Sequence, residues 1–362
     1  MHEHPEHSNA AGTRSGRLAI VGSGITAIAH MTLEAIGYIK AADIVFYHAT
    51  SGVTATYIQE LNPSAVDLYE YYGEEKLRNI TYVQMAELML REVRRGRSVV
   101  GLFHGHAGYF VKAGRRALAI AQMEGHETVL LAGISASDCL FADLRIDPGV
   151  IGIQILKASH VLRKGASVAT NNHVVLIQVG SVRDRTFSFT GYKHPRLDLL
   201  FERLISIYGE DQDSVRYVAS LYPGVDAVIN VRKLGEYRDK TLQNGFHTAT
   251  LYVPPKGVAF ESLACRQAFN DEQPYTKFDI DAIADLDLHR TPVEFKQRRA
   301  SEPMVRAMIE LGTNPAMVVE FRRAPEEFLA RHPELSSEER KALLSREMGR
   351  IRTVNEAMPR SH

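Results

Sequence analysis

The chain has 362 residues, 45% apolar and 24% charged, which is material for two or three globular units with their own cores. Its 43 Lys and Arg against 43 Asp and Glu give no net basic field to hold a phosphate backbone or an anionic membrane, so neither nucleic acid nor membrane is expected as a partner. Two cysteines, Cys139 and Cys265, are too few for a disulfide framework or a thiolate zinc site. No apolar run approaches the roughly 20 residues of a membrane span, and a reducing cytoplasm fits best.

Residues 1–16 (MHEHPEHSNAAGTRSG) are polar and His-rich, lack a signal peptide's apolar segment, and read as a disordered leader. From Arg17 strands and helices alternate. LAIVG predicts a short buried strand, SGITAIAHM follows it, Thr32 to Lys40 predicts a helix and DIVFY the next strand. A long amphipathic helix is expected from about Asn79, with Tyr82, Met85, Met89 and Val93 on one face and Arg94, Arg95 and Gly96 at its end. Ser98 to Phe103 reads as another buried strand, and GHETVLLAG repeats the strand-into-loop arrangement. This alternation argues for a parallel α/β sheet over residues 17–148.

A second α/β unit, residues 149–255, contains VVLIQVG, a helix around Arg196 to Tyr208, SVRYVASL and TATLYVPP, and its alternating strands predict a mixed sheet. Residues 256–300 turn polar and irregular and read as a connector too long for a plain hinge. Residues 301–362 form a helical module: Met304 to Leu311, a helix opened by Asn314 and Pro315, one near Pro325 to Arg331, and one opened by the capping-box pattern Ser336 to Glu339.

Val21-Gly22-Ser23-Gly24-Ile25 sits between a strand and a helix, where α/β sheets bind ligands. The dinucleotide fingerprint is incomplete, since Ala27 stands where a further glycine is wanted. Gly105-His106-Ala107-Gly108 and Gly133-Ile134-Ser135-Ala136 also follow strands in the same unit, and three such loops can line one crevice, with their backbones close to a ligand. His106 has no Cys or His at metal spacing, so no metal site is expected.

VGSGI, DLYEYYGEEKLRNITYVQM, FHGHAGYF, LAGISASDCLFADLRIDP, LIQVG, RYVAS and TLYVPP, in this order, resemble the borosin family of peptide backbone N-methyltransferases, a branch of the tetrapyrrole-methylase superfamily. The C-terminal helices resemble the module that precedes a core peptide in fused members. The resemblance implies a two-domain tetrapyrrole-methylase-like α/β fold with a C-terminal helical module. It also implies an S-adenosylmethionine pocket, releasing S-adenosylhomocysteine, that takes His104, His106, Tyr109 and Phe110 from one loop and Ser135 and Ala136 from another. Gln178, Tyr217, Ala219 and Thr250 would come from the second unit, with Gly22 and Gly24 in the first loop. The implied catalytic residues are Tyr69, Tyr72, Arg78 and Tyr82. The implied partners are a peptide or precursor-protein substrate and a second copy, in a homodimer interlocked through residues 256–300.

The sequence departs from the family pattern at His104, in place of a tyrosine, at Ala107, in place of a proline, and at Ser137, in place of an acidic residue. The chain ends in NEAMPRSH, without a Val, Ile and Gly run to be methylated, which leaves a core peptide removed from this chain, one on a separate precursor, or none. The competing readings are a small-molecule, tetrapyrrole-type methyltransferase and a peptide-binding homologue without turnover.

A peptide nitrogen is a poor nucleophile because its lone pair is delocalised into the carbonyl. Methylating it needs a proton removed and negative charge held on the carbonyl oxygen. Phenols beside a guanidinium answer both demands, since Arg78 would lower the pKa of Tyr72 so that it serves as base, while Tyr69 and Tyr82 hold the carbonyl. His104 is the other candidate base.

Overall fold

The computed structural model describes residues 15–193, 195–258, 260 and 300–356. The expected leader therefore lies outside the described residues up to residue 14, as does the connector from 261 to 299. Backbone contacts divide the chain into two units, one containing both sheets and the other joining residues 32–42 to the C-terminal helices. No helix among the described residues is long and apolar enough to cross a membrane.

In the first unit, five parallel strands are ordered β3-β2-β4-β1-β5, with β1 (Arg17–Gly22), β2 (Ile44–His48), β3 (Ala65–Asp67), β4 (Ser98–Phe103) and β5 (Glu127–Leu130). Leu18 to Val21 are at most 1% exposed, as befits a central parallel strand covered on both faces. Helix α1 (Leu33–Ala41), capped by Thr32, follows β1, and α2 (Gly52–Leu61) follows β2. The long helix α3 (Arg78–Arg94) begins one residue before the expected Asn79. It lays Met85, Ala86, Met89 and Val93 against Leu18, Ile20 and Phe103, and α4 (Lys112–Met123) adds Ala113, Ala117 and Ala121 to that core.

The second sheet is mixed, as its alternation predicts, in the order β6-β7-β10-β8-β9, with β6 and β7 parallel and the remaining pairs antiparallel. Its strands are β6 (Ile153–Lys157), β7 (His173–Ile177), β8 (Asp213–Val218), β9 (Val228–Lys233) and β10 (Thr250–Val253). One face packs on Leu200, Phe201 and Leu204 of a long helix. The other receives Cys139, Leu140 and Leu144 from α5 (Ala136–Asp143) and its C-terminal end, together with Ile25 from the loop after β1. Two four-residue helices, α6 (Pro148–Ile151) and α7 (Ala158–Val161), flank β6, and the long helix is α8 (Leu197–Tyr208).

The second unit packs Met304, Ala307, Phe328, Leu329, Leu335 and Leu343 from its C-terminal helices into a core of its own. These helices span Glu302–Thr313, Pro315–Arg323, Pro325–Ala330, Ser337–Ser345 and Met348–Glu356, and Ser336 makes the expected capping box with Glu339. Although α1 lies within the range 17–148, it belongs to this unit. Gly37 lets it approach so closely that a Cβ there would stand 2.0 Å from the carbonyl oxygen of Thr313.

Candidate active site

The three small-residue loops meet at the carboxyl ends of β1, β4 and β5, the crevice position of parallel α/β sheets. The amide of Ser23 donates to the carbonyl of Phe103 at 2.9 Å, and Gly24 and Gly105 exchange backbone bonds of 3.2 and 2.9 Å. A Cβ on Gly22 would lie 2.1 Å from the Gly105 carbonyl oxygen, and one on Gly133 3.4 Å from the same atom. Gly24, at φ +67°, has the His30 side chain 2.2 Å from where its Cβ would be. The glycines thus bring backbone against backbone.

A cavity of about 260 Å³ opens beside these loops. It collects His104, His106, Tyr109, Phe110, Ser135, Ala136, Gln178 and Thr250 from the sequence-assigned set. Gly22, Gly24, Tyr217 and Ala219 are not part of its lining. The first two hold the loops together. Tyr217 is buried and donates its hydroxyl to Asp143 Oδ2 at 2.6 Å, and Ala219 packs on the same core. Sequence reasoning missed Tyr192 and His247, whose rings stack at 6.2 Å along the cavity wall.

Among the described residues this wall carries no Lys, Arg, Asp or Glu. Burial, aided by nearby His48, lowers the pKa of His104 to about 4, so its ring is neutral at neutral pH, with Nδ1 3.1 Å from the Thr50 hydroxyl. His106 accepts the Gly108 amide on Nδ1 at 2.9 Å. Ser135 caps α5 in a reciprocal box with Asp138. Phe110 and Gln178 have φ of 62° and 55°, a conformation costly for side chains other than glycine and concentrated at functional sites.

Tyr109, Phe110, Gln178 and Tyr192 also line a larger cavity of about 720 Å³ that takes in Arg78 and Tyr82. Residues 75–78 pair with residues 185–187 across the two halves: Glu75 donates to the Phe187 carbonyl at 2.8 Å and Arg78 to that of Arg185 at 3.0 Å. This seam brings Tyr72 onto Phe187, with ring centroids 4.2 Å apart. Tyr69, 39% exposed, meets Tyr72 at 5.4 Å and His48 at 5.8 Å, outside both cavities.

The electrostatics differ from the expectation that Arg78 lowers the Tyr72 phenol. Burial is the largest influence and raises it, a hydrogen bond with Tyr82 adds to the rise, and Arg78 opposes both only weakly. The guanidinium instead covers the Tyr192 ring, 4.7 Å from its centroid, and donates to the Asp184 carbonyl. Tyr192, too, is raised by burial, with Arg78 as the leading opposing influence. Tyr192 lies on an irregular loop before α8, where no periodicity marks it in the sequence.

The family described as Tetrapyrrole (Corrin/Porphyrin) Methylases matches residues 17–221, and the Borosin biosynthesis clasp domain matches 274–362. Together with the two sheets and the glycine-loop crevice, the first match defines a methyltransferase of the tetrapyrrole-methylase class. The chain is 36% identical over 375 residues to the methyltransferase/ribosomally synthesized cyclic peptide dendrothelin A precursor of Dendrothele bispora and to the corresponding omphalotin A precursor of Omphalotus olearius. Each alignment covers 96% of this chain and 90% of the relative. Within the class, the chain belongs to the borosin methyltransferase family. It is also 35% identical to a type III borosin cyclic peptide precursor of Anomoporia bombycina, of which it spans only 44%.

Proposed function

We propose that the chain transfers methyl groups from S-adenosylmethionine to backbone amide nitrogens of a ribosomally made peptide. The observation that carries this reading is the pairing of two adjoining cavities, one neutral and loop-lined, the other holding Tyr82, Arg78 and Tyr192. The neutral wall suits a sulfonium ligand, because no cation there repels it. His104, His106, Gln178 and Thr250 would hold the cofactor, together with the backbone of the small-residue loops. Bound there, S-adenosylmethionine supplies an electrophilic methyl group.

The peptide amide lies in the larger cavity, its nitrogen aimed past Tyr109 and Gln178 toward the smaller one. Tyr72, held protonated by burial, and its hydrogen-bond partner Tyr82 donate to the carbonyl oxygen as charge develops there. Tyr192 is the base beside the nitrogen: burial favours its neutral phenol, and the amide proton goes to the minor phenolate form, whose charge the Arg78 guanidinium over the ring balances. His104, held near pKa 4, is too weak a base to compete at neutral pH. Tyr69 packs, tilted, against Tyr72 as a positioning residue.

Incubation with S-adenosylmethionine and candidate precursor peptides, with tandem mass spectrometry to map added mass, tests the reading. Methylated backbone amides are expected; labelling confined to side chains or to a tetrapyrrole overturns it. Comparing the intact chain, an extended chain bearing a C-terminal core and a separate precursor distinguishes action in cis from action in trans. The chain is further proposed to work as a homodimer interlocked through residues 256–300. Light scattering giving a single chain's mass at micromolar concentration overturns that assembly.

A further inference from the structure

The 43 cationic and 43 anionic residues are unevenly distributed. The cavity at Arg78 and Tyr82 is also walled by Lys112, Arg115, Arg116 and Lys157. Arg78, Lys157 and Ser181 are shared with an adjoining groove of about 490 Å³, where Arg163, Lys164, Arg183 and Arg185 join them. The two spaces form one trough that begins at the proposed methylation site.

Apart from Arg78, all eight of these cations face solvent. None pairs with a carboxylate among the described residues; Lys112 bonds the amide oxygen of Asn79 and Arg115 the Gly108 carbonyl at 3.5 Å. Other cations of the chain sit on carboxylates, Arg94 on Glu87 and Glu124, Arg238 on Glu202 and Glu210, and Lys193 on Glu74. Among the described residues the trough has one carboxylate, Asp184, which is 5% exposed and accepts from the amide and hydroxyl of Thr186. Lys157 registers the crowding, its pKa lowered by burial and then by Arg78, Arg163 and Lys112.

Like charges closer than a Debye length, about 8–10 Å at physiological salt, repel, and a bound polyanion relieves that repulsion. Because the trough runs on from the Arg78 cavity, a polyanion lying in it is most simply continuous with the chain being methylated. We propose that the trough binds an acidic segment of the substrate peptide flanking the residues to be methylated, a specificity that rests on the peptide N-methyltransferase reading above.

The test uses the full chain, S-adenosylmethionine and two synthetic peptides, a Val, Ile and Gly stretch flanked by a run of Glu and its counterpart with every Glu replaced by Gln. With several exposed ion pairs contributing, the Glu peptide is expected to show a KM at least about tenfold lower, at similar kcat, and to lose that advantage as salt is raised. In an Arg163→Glu/Lys164→Glu protein the preference should collapse toward unity, and Arg163→Lys/Lys164→Arg should retain it. Methylation of both peptides at equal KM overturns the acidic-segment proposal and leaves peptide methylation standing. Failure to methylate either overturns the underlying reading, and fluorescence anisotropy then decides the trough separately: equal binding of the two peptides overturns it. Tighter binding of a single-stranded oligonucleotide than of the Glu peptide overturns it as well.

Discussion

The guanidinium carbon of Arg78 lies 4.7 Å from the centroid of the Tyr192 ring, joining the first residue of α3 to a loop of the second half. A planar cation over an aromatic face combines charge with stacking, and lysine reproduces only the charge. Arg78→Lys is therefore expected to slow methylation by about 10²–10⁴, the usual scale for a positioned acid-base group, with S-adenosylmethionine affinity within a few fold. Tyr192→Phe keeps the ring and loses the hydroxyl, and should fall in the same range if that oxygen takes the proton. Single-turnover rates beside calorimetric titration give the comparison; a full-rate Tyr192→Phe protein removes Tyr192 from the chemistry.

A hydrogen bond links Tyr72 to Tyr82, so each positions the other. Tyr72→Phe and Tyr82→Phe should each lower kcat, and the double variant should lose less than the product of the two losses, because the second substitution acts on a pair already broken. Strict multiplicativity in a double-mutant cycle would mean that the phenols act independently.

Most of the fold was legible in the sequence, because buried strands such as LAIVG and the Met85, Met89 and Val93 face of α3 announce themselves by periodicity. The placement of α1 was not, since Gly37 shows only in the structure as the point where α1 meets Thr313. The site was partly legible: the glycine loops follow strands, but which glycines touch a ligand and which touch each other depends on how the loops meet. Tyr192 and the cationic trough stayed hidden for related reasons. One sits on a loop without a pattern, and the other is assembled from α3, α4, β6, the turn after α7 and the loop after β7, so a balanced total charge conceals it.

Gly22 tests the distinction between loop packing and ligand contact. An alanine there would place its Cβ 2.1 Å from the Gly105 carbonyl oxygen, so Gly22→Ala is expected to destabilise the ligand-free protein by about 1–3 kcal/mol, as overpacking does. Denaturant unfolding without cofactor measures this. Unchanged stability with weakened S-adenosylmethionine binding would return Gly22 to the cofactor site.

Acid should weaken the fold through its buried histidines. His173 is fully buried with Nδ1 2.8 Å from the Tyr252 hydroxyl, and burial lowers its pKa to about 4. An unfolded histidine titrates near 6.5, so between pH 6.5 and 4 the unfolded chain binds a proton that the folded one refuses. Stability is complete above that window and falls as pH drops through it, by up to about 1.4 kcal/mol per pH unit for each such group. His173→Gln should flatten the slope of unfolding free energy against pH by up to that amount, even if the variant is less stable at pH 7. An unchanged slope would show that His173 protonates in the folded protein.

The last prediction concerns the neutral cofactor wall. His104 lines the smaller cavity as an uncharged ring, and no Lys, Arg, Asp or Glu among the described residues joins it there. S-adenosylmethionine carries a sulfonium charge that its product, S-adenosylhomocysteine, lacks, so a fixed cation in the wall penalises the first more than the second. Two charges about 4 Å apart interact by roughly 4 kcal/mol at an effective dielectric of 20, and about half that at twice the distance. His104→Lys should therefore lower the affinity for S-adenosylmethionine relative to S-adenosylhomocysteine by at least about tenfold, the equivalent of 1.4 kcal/mol. His104→Tyr, which adds no charge, should leave the ratio unchanged and sustain methylation. Calorimetric titration of both ligands against the three proteins reads the ratio directly, without turnover. If His104→Lys weakens both ligands equally, the sulfonium does not lie against this wall, and the cofactor placement proposed here fails.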